Sequence, residues 1–284
     1  MRFYGIILLC LFLGLTGCRS AGGKVTLNYL EYNRGASVVT RSSPRLEYGA
    51  NDLRFHDVRF DDRSFFPDDS VFPNAFFKPL LRLQLHKAMD AFTEPYYGVR
   101  FIHFFKKNPR LGIGIDFIHF KIFVTDPDQR VRLTGRRYGR ELNETVRLGD
   151  FIDTFSVSHG INHLSLTVVY RWLLSPSSRV SEGRCQPFVS LGAGPAIPHL
   201  ELTTVENGVL RDRAYSYQLG FPKNLGFGLG AGVRFKLHHH FGLYAEYKFT
   251  YSLLHGMFFD GDEEGTVKMS FPDHHFAWGV SYIF

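Results

Sequence analysis

The chain has 284 residues, with 33 Lys and Arg against 27 Asp and Glu and a formal charge of +6. That small excess, without a basic helix or an aromatic stacking motif, excludes a nucleic-acid partner. After the N-terminus no run of about 18 apolar residues occurs, which excludes helical membrane spans.

The aromatic content sets the class: 29 Phe and 14 Tyr stand against 4 Met, beside 28 Gly. Soluble cores favour Leu, Ile and Val, whereas this composition favours strands and surfaces that meet both water and an apolar phase.

In chain order, residues 1–20 have the layout of a secretory signal peptide: Arg2, the apolar run GIILLCLFLGL, then Gly17, Ser20 and Ala21. Leu15-Thr16-Gly17-Cys18 resembles the bacterial lipobox. Lipidation at Cys18 and ordinary cleavage near Ala21 are the two alternatives there. Cys10 and Cys18 belong to this leader or its edge, so Cys185 stands alone in the body and no internal disulfide can hold the fold. Residues 21–50 form a segment whose pattern does not decide between a periplasmic tail, an interfacial segment and an extra strand.

From residue 51 onward the pattern predicts eight strands: Asn51–Phe60, Tyr96–Phe105, Leu111–Val124, His163–Trp172, Gln186–Ile197, Leu225–Lys236, Phe241–Tyr251 and Phe276–Phe284. Period-two alternation is clearest in the last ones. Leu225, Phe227, Leu229, Ala231, Val233 and Phe235 lie opposite Gly226, Gly228, Gly230, Gly232 and Arg234. Phe276, Trp278, Val280, Tyr282 and Phe284 lie opposite Ala277, Gly279, Ser281 and Ile283. One apolar face and one small or polar face over a membrane-crossing length is the pattern of a lipid-facing strand. Expected connections alternate between short (106–110, 173–184, 237–240) and long (61–95, 125–162, 198–224, 252–275), the asymmetry of periplasmic turns and external loops. The expectation is therefore an all-β, eight-stranded antiparallel transmembrane β-barrel over residues 51–284. It would be monomeric and reside in a bacterial outer membrane among lipid and lipopolysaccharide. A soluble barrel would carry its charges outside, whereas here they share the parity of the glycines.

Arg100, Asp116, Arg171, Arg234, Glu246 and Lys248 fall on that inward parity, where single charges must pair into a network. The GFGLGAG series is no nucleotide loop, because its spacing is two throughout; the glycines make room for bulky neighbours in a narrow lumen. His238, His239 and His240 occupy a short turn, whereas His119, His199, His274 and His275 gather with Lys121 and Glu201 near the expected external rim. His199 and Glu201 are the candidate metal ligands there, weighed against scattered rim polarity. Arg130, Arg132, Arg136 and Arg137 lie in the long loop after Thr125. Arginine forks suit the phosphates of lipopolysaccharide; the alternative is a solvated loop.

Several segments together resemble the lipid A oxidase group of outer-membrane barrels. They are PYYGVRF (95–101), IDFIHFK (115–121), HGINHLSLTVVYRW (159–172), PFVSLGAGPAIPHLE (187–201), EYKFTY (246–251) and the closing GVSYIF. The resemblance implies oxidation of the proximal glucosamine of lipid A with molecular oxygen, and a divalent metal as a further cofactor choice. By their chemistry, Asp116, His119, Lys121, Glu246 and Lys248 are the catalytic candidates. The alternative is a non-enzymatic outer-membrane barrel with a structural or surface-binding role.

Overall fold

The computed structural model describes residues 27–61, 96–174, 183–213, 217, 219–260 and 263–284. The leader, with Cys18, and nearly all of the loop expected at 61–95 lie outside the described residues.

The strands are β1 (Asn28–Val39), β2 (Arg45–Tyr48), β3 (Asn51–His56), β4 (Tyr97–Phe105), β5 (Asn108–Phe123), β6 (Arg130–Arg137), β7 (Arg140–Arg147), β8 (Ile152–Arg171), β9 (Cys185–Pro198), β10 (Glu201–Glu206), β11 (Val209–Asp212), β12 (Leu225–Lys236), β13 (Phe241–Asp260) and β14 (Glu263–Ile283). The expected eight-stranded barrel is not what forms. The architecture is one sheet of 14 strands. Within it, β1-β4-β5-β8-β9-β12-β13-β14 pair in sequence, and β1 also pairs antiparallel with β14, so these eight make a closed ring. The other six continue the sheet past the ring: β2, β3, β6 and β7 from β14, and β10 and β11 from β8.

Two segments differ from the expectation for identifiable reasons. Asn51–Phe60, expected as a ring strand, instead supplies β3, whose neighbours are β2 and β6. The ring position goes to β1, which lies between β14 and β4. The stretches expected as external loops at 125–162, 198–224 and 252–275 contain the β6–β7 hairpin, the β10–β11 hairpin and the far halves of β13 and β14. β8, β13 and β14 have 20, 20 and 21 residues. A strand crosses a bilayer with about 9–11 residues, so about half of each stands beyond it.

The same inward parity runs the whole length of these strands, but the chemistry on each side changes. On β14, Ser281, Asp273 and His275 are buried inside the ring, followed upward by Phe271, Met269 and Val267. On the opposite side Tyr282, Val280, Trp278 and Phe276 are exposed and apolar, whereas Ser270, Lys268 and Thr266 above them are polar. β13 repeats this: Glu246, Lys248, Thr250 and Ser252 point in, then Leu254 and Phe258. Leu166 on β8 is 74% exposed and Leu191 on β9 is 64% exposed, which leaves them nothing to pack on but lipid. The lower ring is thus apolar outside and polar inside, and the extension is the reverse.

The extension encloses a core of Leu46, Leu53, Phe55, Phe60, Phe120, Ile122, Val131, Leu133, Phe155, Leu202, Phe258 and Phe271, among others. Phe60 and Phe155 meet edge to face at 5.3 Å. A smaller cluster of Tyr29, Ile102, Phe104, Val169, Phe188, Tyr244 and Ile283 closes the ring at its turn end. The polar middle of the ring is therefore bounded by apolar packing above and below.

Phe120 is fully buried and meets the His275 ring at 4.9 Å, where the upper core begins. Phe120→Ala is expected to remove about 3–5 kcal/mol from the extension. Limited trypsin digestion should then cut within residues 130–147, while the ring keeps its resistance to unfolding in SDS. An unchanged digestion pattern would show that this core does not hold the extension.

Candidate functional site

The polar middle of the ring is a connected set of charges. Arg100 on β4 and Arg234 on β12 are both fully buried. Arg100 donates to Glu246 at 2.6 Å and lies 3.2 Å from Asp116 and 3.5 Å from Glu31. Arg234 donates through Nε to Glu31 at 2.7 Å, and Ser281 donates to the same carboxylate at 2.9 Å. Lys248 ion-pairs with Asp116, and Ser190 donates to Glu246 at 3.4 Å. Arg171 donates to the Tyr29 hydroxyl at 2.6 Å and to Gln186 at 3.1 Å, with its guanidinium 3.6 Å from the Phe104 ring centre.

Among the buried groups of the ring, five cations, Arg100, Arg171, Arg234, Lys236 and Lys248, stand with four carboxylates, Glu31, Asp116, Glu246 and Asp273. The six residues placed inward by parity all belong to this set. Glycine makes it possible: a Cβ at Gly230 would overlap Glu246 and Ser190, and one at Gly226 would overlap the His163 ring. A small polar cavity beside Lys248 and Asp116 is lined also by His163, Ser165, Thr167, Ser190 and Thr250. Sequence reasoning missed Glu31 and Asp273, and it placed His275 at the external rim, whereas the residue is fully buried inside the ring. Glu31 is the largest omission, since both Arg100 and Arg234 converge on it.

The five catalytic candidates divide between two faces. Asp116, Glu246 and Lys248 come together inside the ring through Arg100. His119 and Lys121 stand on the opposite parity of β5. His119 donates through Nδ1 to Asn162 Oδ1 at 3.0 Å and stacks on Tyr97 at 5.0 Å. Its ring occupies the space left by Gly160 on β8, where φ is +87° and a Cβ would overlap it. No single site holds all five. Of the two metal candidates, His199 sits 5.1 Å from the Tyr217 ring, and Glu201 accepts from Ser156 at 3.3 Å. Among the described residues no group of three or more His, Cys, Asp or Glu is placed to hold a metal ion.

The arginines expected in a flexible loop are on a hairpin. Arg130, Arg132, Arg136 and Arg137 belong to β6, with Val131 and Leu133 buried between them. Arg136 pairs with Glu141 at 3.0 Å, and Arg137 donates to the Val205 carbonyl at 3.5 Å. Below them on the same outer surface, hydrogen bonds from Lys268 and from Arg45 hold the Glu47 and Asp52 carboxyls below the usual carboxylate range.

Removing one member of the buried network leaves its partners charged and uncompensated. Glu31→Gln is expected to cost the ring about 3–5 kcal/mol, because Arg234 and Arg100 both lose a counter-charge. The double variant Glu31→Gln with Arg234→Gln should cost less than the sum of the two single changes. Urea midpoints in detergent micelles measure this; strict additivity would show that the two groups are not coupled.

No protein-family model matches the sequence, and no curated protein is similar to it. Among solved structures, the outer membrane protein OprG from Pseudomonas aeruginosa is 12% identical over 92% of this chain and 98% of its own, with a TM-score of 0.44. The outer membrane protease OmpT from Escherichia coli is 8% identical over 94% and 99%, with a TM-score of 0.42. Neisserial surface protein A is 8% identical over 90% and 97%, with a TM-score of 0.37. The chain is similar to these outer-membrane proteins in outline, and at such scores the likeness carries no argument about chemistry.

Proposed function

We propose that the protein is a non-conducting bacterial outer-membrane protein, anchored in lipid by its ring, whose sheet extension presents a fixed surface outside the cell. The observation that carries this is the exchange of polarity along β13 and β14, from apolar outside and polar inside to the reverse. A strand can satisfy both halves only if one lies in lipid and the other in water. The short turns at the opposite end match the periplasmic side. The connected charges and the apolar packing at their two ends support a closed lumen, with only a small cavity beside Lys248 and Asp116. A structural or surface-binding role fits this better than catalysis in the lumen.

Two measurements test the reading. Purified protein in planar bilayers should show no steady channel openings; a stable conductance would overturn the closed lumen. In intact cells, a Glu144→Cys variant should react with a membrane-impermeant maleimide, while Cys185, at the turn end of β9, should not. Labelling of Cys185 without labelling at position 144 would reverse the orientation.

Lipid A oxidation is the second reading, and one observation favours it. His119, ordered by Tyr97 and Asn162, stands on the outer parity of β5 just past Ile113, Ile115 and Phe117, where the outer surface stops being apolar. A lipid headgroup would meet the protein there. Mass spectrometry of lipid A with and without expression decides it: one added oxygen, lost in His119→Ala, supports oxidation, and an unchanged lipid A with folded protein removes it.

A further inference from the structure

The outer face of the extension carries a second charged surface, and here the charges do not cancel. Strand register sets Lys268 beside Arg45, Arg45 beside Arg54, and His56 beside Arg132. Most cations on this face are answered by a carboxylate. Arg45 binds Asp52 at 2.6 Å, Lys268 binds Glu47 at 2.7 Å, Arg136 binds Glu141 at 3.0 Å, and Arg147 binds Asp128 at 2.5 Å. Arg54, Arg130 and Arg132 are exposed, and among the described residues none of the three has a carboxylate within ion-pair distance. The Arg132 Nε donates only to Asn143, at 3.1 Å.

These side chains form a block rather than a scatter. Thr134 lies beside Arg54 across the β3–β6 pair, and its hydroxyl is 2.7 Å from His56 Nε2. Partial burial and then the positive fields of Arg54 and Arg132 hold His56 below the usual histidine range, with Asp57 the smallest influence on it. The block also has a direction. Arg130 follows Gln129, whose side chain accepts from the Arg59 amide at 2.8 Å, and Val58 next to Arg59 is bridged to Ser42. Ser42 and Thr40 in turn bond the carbonyls of Ser270 and Pro272. On β14 the next outward residues are His274, Phe276 and Trp278, the start of the lipid-facing band. The uncompensated arginines thus descend toward the border of the membrane.

We propose that Arg54, Arg130 and Arg132, with the hydroxyls of Thr134 and Thr145 beside them, form a phosphate-binding face that engages phosphorylated headgroups of the surrounding outer leaflet. Guanidinium forks suit phosphate oxygens bidentately, and a rigid sheet fixes their spacing without the ordering cost of a loop. This rests on the outward orientation proposed above, because only then does the face meet the outer leaflet.

The test uses the full chain folded in detergent micelles and two probes, bisphosphorylated lipid A and the same lipid dephosphorylated. The wild-type protein should prefer the phosphorylated probe, with affinity that falls as salt rises. The triple variant R54A/R130A/R132A should bind it roughly tenfold or more weakly, at about one decade for each charge-assisted contact of 1.4 kcal/mol lost. The control R110A, which removes an exposed arginine at the turn end of β5, should bind as the wild type does. All three positions are exposed, so retained SDS resistance shows that the variants are folded. Competition by millimolar pyrophosphate would assign the face to phosphate itself, and its failure to compete would assign it to phosphate held in a lipid headgroup. Equal binding of the two probes, or wild-type affinity in the triple variant, would overturn the proposal. Maleimide labelling at position 144 separates this failure from a failure of the orientation: labelled protein without phosphate preference sinks the face alone.

Discussion

The structure depends on a requirement that lipid places on a strand: whatever faces hydrocarbon must be apolar, and every backbone group there must be paired within the protein. Closing the ring through β1 and β14 meets the second condition. Meeting the first pushes polar residues inward, to a lumen too narrow for bulk water. Beyond the membrane the condition lapses, and ordinary burial takes over on the same strands. Phe271 on β14 and Asp273 two residues later mark the change on the inner side, and Lys268 and Phe276 mark it on the outer.

A polar lumen raises its own problem, since an isolated charge out of water is costly. The ring answers with shared counter-ions. Glu31 takes Arg234 and Ser281 and lies near Arg100; Asp116 takes Lys248 and Arg100. Such networks contribute little net stability relative to apolar packing, but they penalise any register in which one member is missing. A one-residue slip of β4 or β12 would turn Arg100 or Arg234 into the lipid. The network therefore specifies the closure of the ring.

Much of the ring was legible in the sequence because lipid-facing strands alternate strongly. Leu225–Lys236 and Phe241–Tyr251 have the faces that their pattern predicts. β1 was illegible because Tyr29 points inward and Arg34 interrupts the opposite parity. The β6–β7 hairpin hid for a related reason: only Val131 and Leu133 alternate with its arginines, too short a signal beside so many charges. Near His119 the parity of apolar residues changes. The inward parity in β5 in fact persists through Gly114, Asp116, Ile118, Phe120 and Ile122, and it is the apolar character that changes sides. The irregularity belongs to β8, where pairing with β5 shifts between Phe120 and Ile122. The candidate site suffered most from this, because sequence neighbours Asp116 and His119 project to opposite faces.

The extension is not a separate unit perched on a membrane anchor. β13 and β14 pair without a register break from Phe241–Tyr282 at the turn end to the far tip. At about 3.4 Å per residue, some 20 paired residues make a ladder of about 70 Å, more than twice the apolar thickness of a bilayer. Any tilt of the ring in lipid is transmitted along that ladder to β2, β3 and β6. The outer charges therefore hold a set height and angle relative to the headgroups, which long mobile loops could not provide. For a protein whose ring is crossed by a network of buried charges, a surface held at fixed height is what the long strands supply.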